Sequence, residues 1–420
     1  GALAADRLNL SRVMPALGMG NRLRRVRMKE ARTDKKTDAI VVGAGLIGLA
    51  TAWELTALGL GVTVLERERP GGGATGVAAG MLAPIGELDF GEPELLAMNL
   101  RSRELYPAFV ASVESETGID TGYRHTGALH VALDRDEAGE LKRVMELQQS
   151  HGLDSRWLGP MAARELEPGI SPSLAGAILV EEDAVVDPRA LVVALKSGLA
   201  ERGARIVTGD VASLELGPKG SVSGVRTVSE SFTSPLVIAA PGAVAGVADW
   251  LPEEVRPPVR PVKGQVVELQ GETHPPACER ILASERVYIA PRPDGRLILG
   301  ATVEEMGFDR RVTGGGVHEL LREAYRLLPD VAEMEFLGAI AGLRPGTPDN
   351  LPVIGRTSID GLVLATGHYR NGILLAPVTA HSVARLVQGE EQEVIPDDTK
   401  GTFTRNKTRS VRYNRKTKPG

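Results

Sequence analysis

The stretch Asp38–Glu66, DAIVVGAGLIGLATAWELTALGLGVTVLE, decides the fold. Asp38 to Val42 is a short apolar run ending at a glycine, Leu46 to Leu58 carries apolar residues at helical spacing, and Val62 to Leu65 is a second apolar run. That order predicts a strand, a helix and a strand. Between the first two, Gly43-Ala44-Gly45-Leu46-Ile47-Gly48 fits the pattern G-x-G-x-x-G. Glycines there permit a tight turn and a close approach of backbone to a pyrophosphate, while the helix N-terminus offers N–H groups and a favourable dipole. Glu66 closes the second strand about 20 residues on, where an acid accepts hydrogen bonds from ribose hydroxyls. Strand, helix and acid in register predict dinucleotide binding; the competing reading is a glycine-rich turn that closes a βαβ unit without a ligand. The motif does not separate FAD from NAD.

Working outward, Gly71-Gly72-Gly73-Ala74-Thr75-Gly76-Val77-Ala78-Ala79-Gly80-Met81-Leu82 is built of small side chains. These let backbone lie along an extended ligand, or form a flexible loop. Pro188 to Arg202 has helical spacing with proline in its first turn, and Arg205 to Thr208 reads as the strand after it. Leu236 to Ala240 and Leu362 to Ala365 are further apolar runs, the latter followed by a helix from Ile373 to about Val387. Elements of one dinucleotide fold therefore stand in three separated blocks. Between the blocks, Tyr123 to Leu133, Gln265 to Leu269, Val287 to Pro291 and Arg296 to Gly300 have β-rich composition, with Pro293-Asp294-Gly295 as a hairpin turn. An antiparallel sheet follows from these.

The net charge of -5 conceals a division. Residues 1–37 carry ten Lys/Arg against three Asp/Glu and residues 400–420 carry eight against none, which leaves 31 basic and 51 acidic residues in 38–399. So acidic a body repels phosphate backbones and predicts no nucleic-acid partner. The single cysteine, Cys278, excludes an internal disulfide and an all-cysteine metal site, and no His/Cys/Asp cluster has metal-ligand spacing. No apolar run is long enough to span a bilayer, and the basic N-terminal stretch lacks the apolar centre of a secretion signal. An Arg-rich transit peptide and a natural start at Met28, just ahead of the first strand, are both open readings, and vector-derived or mis-started residues are the favoured expectation. A reducing cytoplasm is the expected compartment.

Near the C-terminus, Ala341-Gly342-Leu343-Arg344-Pro345-Gly346-Thr347-Pro348-Asp349 reads as an arginine mounted in a turn held by Pro and Gly, suited to bidentate capture of a carboxylate. Gly367-His368-Tyr369-Arg370-Asn371-Gly372-Ile373-Leu374 follows a strand and precedes a helix, where amides and the helix dipole face an anion such as a reduced flavin. Taken singly, each arginine has a surface ion pair as its competing reading.

Together these segments carry a resemblance. GAGLIG with Glu66, AAGML at Ala78–Leu82, Val185-Val186-Asp187-Pro188, Pro261-Val262-Lys263-Gly264, Tyr288-Ile289-Ala290-Pro291-Arg292, Gly300-Ala301-Thr302, AGLRPGTPD and GHYRNGILLAP resemble, in order, the D-amino acid oxidase family of FAD-dependent flavoproteins. Within it they are most similar to the glycine oxidases of thiamine biosynthesis, over about residues 38–395. The resemblance implies non-covalent FAD, with Leu46 and Ile47 in the phosphate turn beside Gly43, Gly45 and Gly48, and Glu66 and Arg67 at the adenosine ribose. It places Ala74, Thr75, Ala79, Gly80 and Met81 along the flavin and the backbone of Val211 at the adenine. His368, Tyr369, Arg370, Asn371, Gly372, Ile373 and Leu374 wrap the isoalloxazine. Arg344 binds the substrate carboxylate, Arg370 and Tyr288 close the site, and Val303 stands where a glycine oxidase is expected to carry methionine. A second departure is Ile238–Ala245, which reads IAAPGAVA in place of a Gly-Ala/Val-Trp-Ser-like stretch.

The implied reaction is oxidation of a small amino acid to its imino acid, with the Cα hydride passing to flavin and oxygen taking the electrons as hydrogen peroxide. Tyr288 then positions substrate and is not a general base, because a neutral amine needs orientation more than proton removal. A D-amino acid or sarcosine dehydrogenase with a carrier as acceptor, and a catalytically silent flavin-binding subunit, are the alternatives. The resemblance also implies a homo-oligomer, a tetramer. The fold expected is α/β with antiparallel β: a Rossmann-like FAD domain from 38–86, 183–252 and 346–395, a discontinuous substrate domain from 87–182 and 253–345, and disordered basic extensions at 1–37 and 396–420.

Overall fold

The structure, a computed structural model, describes residues 37–86 and 93–390. The two basic extensions, apart from Thr37, lie outside the described residues.

The opening motif forms the expected unit. Strand Ala39–Val42 leads through the glycine turn into helix Leu46–Ala57 and on to strand Val62–Glu66, which pairs in parallel with the first. Both strands are buried on both faces, which is why they read as unbroken apolar runs without alternation. The sheet they begin has six strands in the order Val353–Arg356, Leu362–Thr366, Val237–Ala239, Ala39–Val42, Val62–Glu66 and Arg205–Thr208. Only the outermost, Val353–Arg356, runs antiparallel to its neighbour. The three blocks that the sequence separates thus meet in one sheet. Helices Pro93–Thr117, Pro188–Glu201 and Ala376–Gln388 join Leu46–Ala57 over a core that includes Trp53, Met98, Tyr106, Leu195 and Val383. Pro93–Thr117 packs into this core although its segment, 87–182, is expected in the second domain.

The second sheet has eight strands, ordered Glu335–Gly346, Arg260–Gln270, Arg296–Gly300, Tyr288–Pro291, Ile281–Ala283, Ala128–Ala132, Gly176–Val180 and Arg156–Leu158. Every pairing in it is antiparallel save that of Ile281–Ala283 with Ala128–Ala132. The hairpin turn falls as expected, with Gly295 at φ +83° between Tyr288–Pro291 and Arg296–Gly300. Chain order and sheet types match the α/β plus antiparallel β class expected from the sequence.

Two local expectations change. Arg344 lies inside the long strand Glu335–Gly346, not in a turn, because Val262 of the neighbouring strand pairs with it and the pairing runs on to Gly346. The last helix begins at Ala376, not Ile373, because Tyr369–Asn371 forms a 3-10 turn first and Pro377 sets the first helical turn.

Candidate active site

A cavity of about 680 Å³ opens at the carboxyl ends of the parallel strands and extends over one face of the eight-stranded sheet. Gly43, Glu66, Ala240, Thr366 and His368, each at or just past the end of a parallel strand, line it. This is the crevice where open α/β sheets hold ligands.

The glycine turn is sterically forced. Gly43 has φ +107°, and a Cβ there would overlap the Ala240 carbonyl. Gly45 opens the helix with no side-chain cap and no acid in the first turn, so its dipole end faces the cavity unopposed apart from Thr75, whose hydroxyl accepts from Leu46 N at 3.0 Å. The Glu66 carboxylate is oriented by Ala44 N at 2.8 Å and Glu68 N at 3.0 Å. Ile47, Arg67, Ala74, Ala79, Gly80 and Met81 also line the cavity, and Gly80, at φ +72°, lies so close to the Val186 carbonyl that no side chain fits. Arg292, buried and paired with Asp187 at 3.8 Å, donates to the Ala79 carbonyl and so ties this segment to the second sheet. Capless helix end, glycine cradle and oriented acid fit a dinucleotide such as FAD.

At the other end of the same cavity, strand register brings the polar groups together. Arg344 pairs with Val262, Gly342 with Gly264, Val266 with Gly300, Gly300 with Tyr288, and Ala283 with both Tyr288 and His130. Because side chains alternate along strands, these residues share one face, and Arg344, Gly264, Gly300, Tyr288 and His130 all line the cavity. Two glycines shape the shelf. A Cβ on Gly264 would sit 2.6 Å from Arg344 Cζ, and one on Gly300 would sit 2.6 Å from Tyr288 Cε2. Arg344 therefore folds over Gly264, its guanidinium donating to Thr302 O at 3.0 Å and Lys263 O at 3.4 Å. No carboxylate among the described residues pairs with it. Val303 and Arg370 line the cavity and are exposed.

His368 is buried with Nε2 2.9 Å from Thr379 Oγ1, and burial drops its pKa to about 3, so it is a neutral hydrogen-bonding group near pH 7. Tyr369 beside it takes φ +45°, a left-handed conformation unusual for an aromatic residue. Gly372 and Ile373 complete this wall.

Four expected ligand residues stand off the wall. Gly48 packs the helix onto the turn, where a Cβ would overlap Gly43 O. Val211 starts a strand of a separate three-stranded antiparallel sheet. Asn371 and Leu374 are buried beneath the wall, with Leu374 O accepting from Ser102 Oγ at 2.6 Å. Conversely, the sequence reading missed His130, a cavity-lining histidine whose Nε2 is buried without a hydrogen-bond partner and whose pKa burial lowers to about 4. A single histidine within an apolar strand gave no signal.

Comparison with known proteins agrees with this geometry. The glycine oxidase of Geobacillus kaustophilus is 36% identical over 360 residues, covering 84% of this chain and 93% of that protein. Its crystal structure superposes with a TM-score of 0.81 at 34% identity, over 89% of this chain and 99% of that one. The bifunctional protein ThiO/ThiG of Trichormus variabilis is 35% identical over 359 residues, 85% of this chain and 53% of that protein. The chain thus spans about half the length of the ThiO/ThiG relatives it matches. Residues 38–386, which hold the glycine turn, Glu66, both sheets and Arg344, match as a unit, and on that match the chain belongs to the FAD dependent oxidoreductase family.

Proposed function

We propose that the protein oxidises glycine and other small amines, sarcosine and D-alanine among them, to the imino or keto acid with release of hydrogen peroxide. The observation that carries the reading is Arg344: a guanidinium on the cavity wall, fixed by two neutral backbone carbonyls and paired with no carboxylate among the described residues. A planar, preoriented cation of this kind suits the carboxylate of an amino acid.

FAD supplies the hydride acceptor and, through its reoxidation by oxygen, the peroxide. The chain's residues do the rest. Gly43, Gly45 and the N-terminal end of helix Leu46–Ala57 would hold the pyrophosphate and Glu66 the ribose. Ala79 to Met81, with His368, Tyr369, Arg370, Gly372 and Ile373, would flank the ring. Arg344 fixes the substrate by its carboxylate, and Tyr288, on the adjoining glycine shelf, orients the amine. Orientation of this kind removes much of the entropic barrier without a protein base. The relatives named glycine oxidase support the choice of amine, and the resemblance to the glycine oxidases of thiamine biosynthesis, together with the ThiO/ThiG relatives, supports supply of the thiazole precursor as its role.

Anaerobic mixing of the FAD-loaded protein with glycine, sarcosine, D-alanine and L-leucine, followed by readmission of oxygen, tests the proposal. The three small substrates bleach the flavin and then yield peroxide. Preference for L-leucine, reduction without peroxide, or no bleaching by any of the four would each overturn it.

A further inference from the structure

Lys263 is fully buried, with its side chain 1% exposed and Nζ 3.1 Å from Glu304 Oε2. Glu304 also accepts from Gln265 Nε2 at 2.6 Å and Thr302 Oγ1 at 2.6 Å. A buried ion pair is not by default a stabilising device, since apolar residues of similar volume often serve as well or better. Its placement points elsewhere. Lys263 O and Thr302 O are the two carbonyls that anchor Arg344, so Glu304 stands one residue from the guanidinium on both routes. Along the strand, Gly264 and Val266 line the cavity whereas Lys263 and Gln265 do not, which puts the lysine on the back of the sheet. The other acids of the same loop are engaged as well: Glu305 with Arg260 at 3.1 Å and Asp309 with Arg311 at 2.7 Å.

We propose that Lys263 is a specificity-determining positioning residue: by capturing Glu304 behind the sheet it keeps the Arg344 guanidinium available to a substrate carboxylate. The inference rests on the reading of Arg344 as the carboxylate site. A carboxylate left uncancelled behind the sheet, one hydrogen-bonded residue from the guanidinium, offsets the positive charge of Arg344, and a substrate carboxylate then meets a weaker attraction. Gln265 and Thr302 are neutral and orient Glu304 without cancelling its charge; Lys263 does both.

The test is calorimetric titration of the FAD-loaded full-length chain with acetate and with its uncharged counterpart acetamide, alongside thermal melting. Lys263→Met weakens acetate binding about tenfold or more and leaves acetamide unchanged, because the Glu304 carboxylate loses its counter-charge one residue from the guanidinium. The double variant Lys263→Met/Glu304→Gln regains acetate affinity to within about threefold, since the uncancelled negative charge is gone. Where Lys263→Met alone does not fold, Lys263→Gln, which keeps a hydrogen bond without the charge, gives the same direction of change. A merely structural lysine would move acetate and acetamide together and would not be rescued by Glu304→Gln. Unchanged acetate affinity in Lys263→Met, or a loss that persists in the double variant, overturns the inference. If Arg344→Ala itself leaves acetate binding intact, the reading of Arg344 fails; if Arg344→Ala abolishes it while Lys263→Met does not alter it, only the role of Lys263 falls.

Discussion

Arg344 concentrates the functional argument in one side chain. On the proposed reading, removing it leaves a substrate carboxylate in a confined site without its counter-charge, a loss on the order of 2 to 5 kcal/mol. At about 1.4 kcal/mol per decade, Arg344→Ala lowers catalytic efficiency for glycine roughly 30-fold to several thousand-fold. FAD stays bound, because the glycine turn and Glu66 lie at the other end of the cavity. Arg344→Lys falls between, a point charge replacing the fork. Steady-state kinetics with flavin content measured in parallel decide it; near-normal efficiency, or loss of flavin, would make Arg344 structural. The arginine was legible from its AGLRPGTPD context, yet its mount was not. Pro345 and Gly346 suggest a turn, and only the pairing of Val262 with Arg344 shows that the strand continues.

At the scale of the element, the strands make the site by what they leave out. Gly264 and Gly300 sit in strands, and neither is among the positive-φ glycines. Their purpose is space, for the guanidinium of Arg344 and the ring of Tyr288. Gly264→Ala therefore displaces Arg344 from its carbonyl anchors. It raises the KM for glycine about tenfold or more, since misplacement of about 1 Å is enough to cost that much. The melting temperature and FAD content change little. Should Gly264→Ala bind glycine normally, Arg344 would have to act from another conformation. Both glycines occur in the quoted PVKG and GAT segments, so their importance was visible from resemblance, while their reason was not. A cross-strand neighbour is a property of register, and register between strands some 80 residues apart is absent from local pattern.

Across the whole molecule, Asp187 joins what the chain order separates. Its carboxylate caps helix Pro188–Glu201 through Arg189 N at 2.9 Å and Ala190 N at 3.3 Å, and takes Arg296 at 3.0 Å and the buried Arg292 at 3.8 Å. Arg292 in turn holds the Ala79 carbonyl on the cavity wall. Burial raises the Asp187 pKa, but Arg292, the backbone donors and Arg296 together bring it below the usual carboxylate value. Asp187→Ala strands a buried guanidinium and costs about 3 to 5 kcal/mol of stability, with weaker FAD retention as Ala79 shifts. Urea unfolding and flavin release measure the two effects, and unaltered values for both would remove Asp187 from this role. By itself the sequence determined the opening strand, turn and helix, the acid at Glu66, the antiparallel hairpin and the family, because these rest on periodicity, glycine stereochemistry and motifs a few residues long. Only the tertiary structure decided the order of the strands within each sheet, that Gly48, Val211, Asn371 and Leu374 stand off the cavity wall, and that His130 stands on it. It also decided which acid Lys263 holds behind the sheet. Those facts depend on which strands become neighbours, and that is set by how the whole chain buries its apolar surface and satisfies its charges, a non-local condition that no short window of sequence contains.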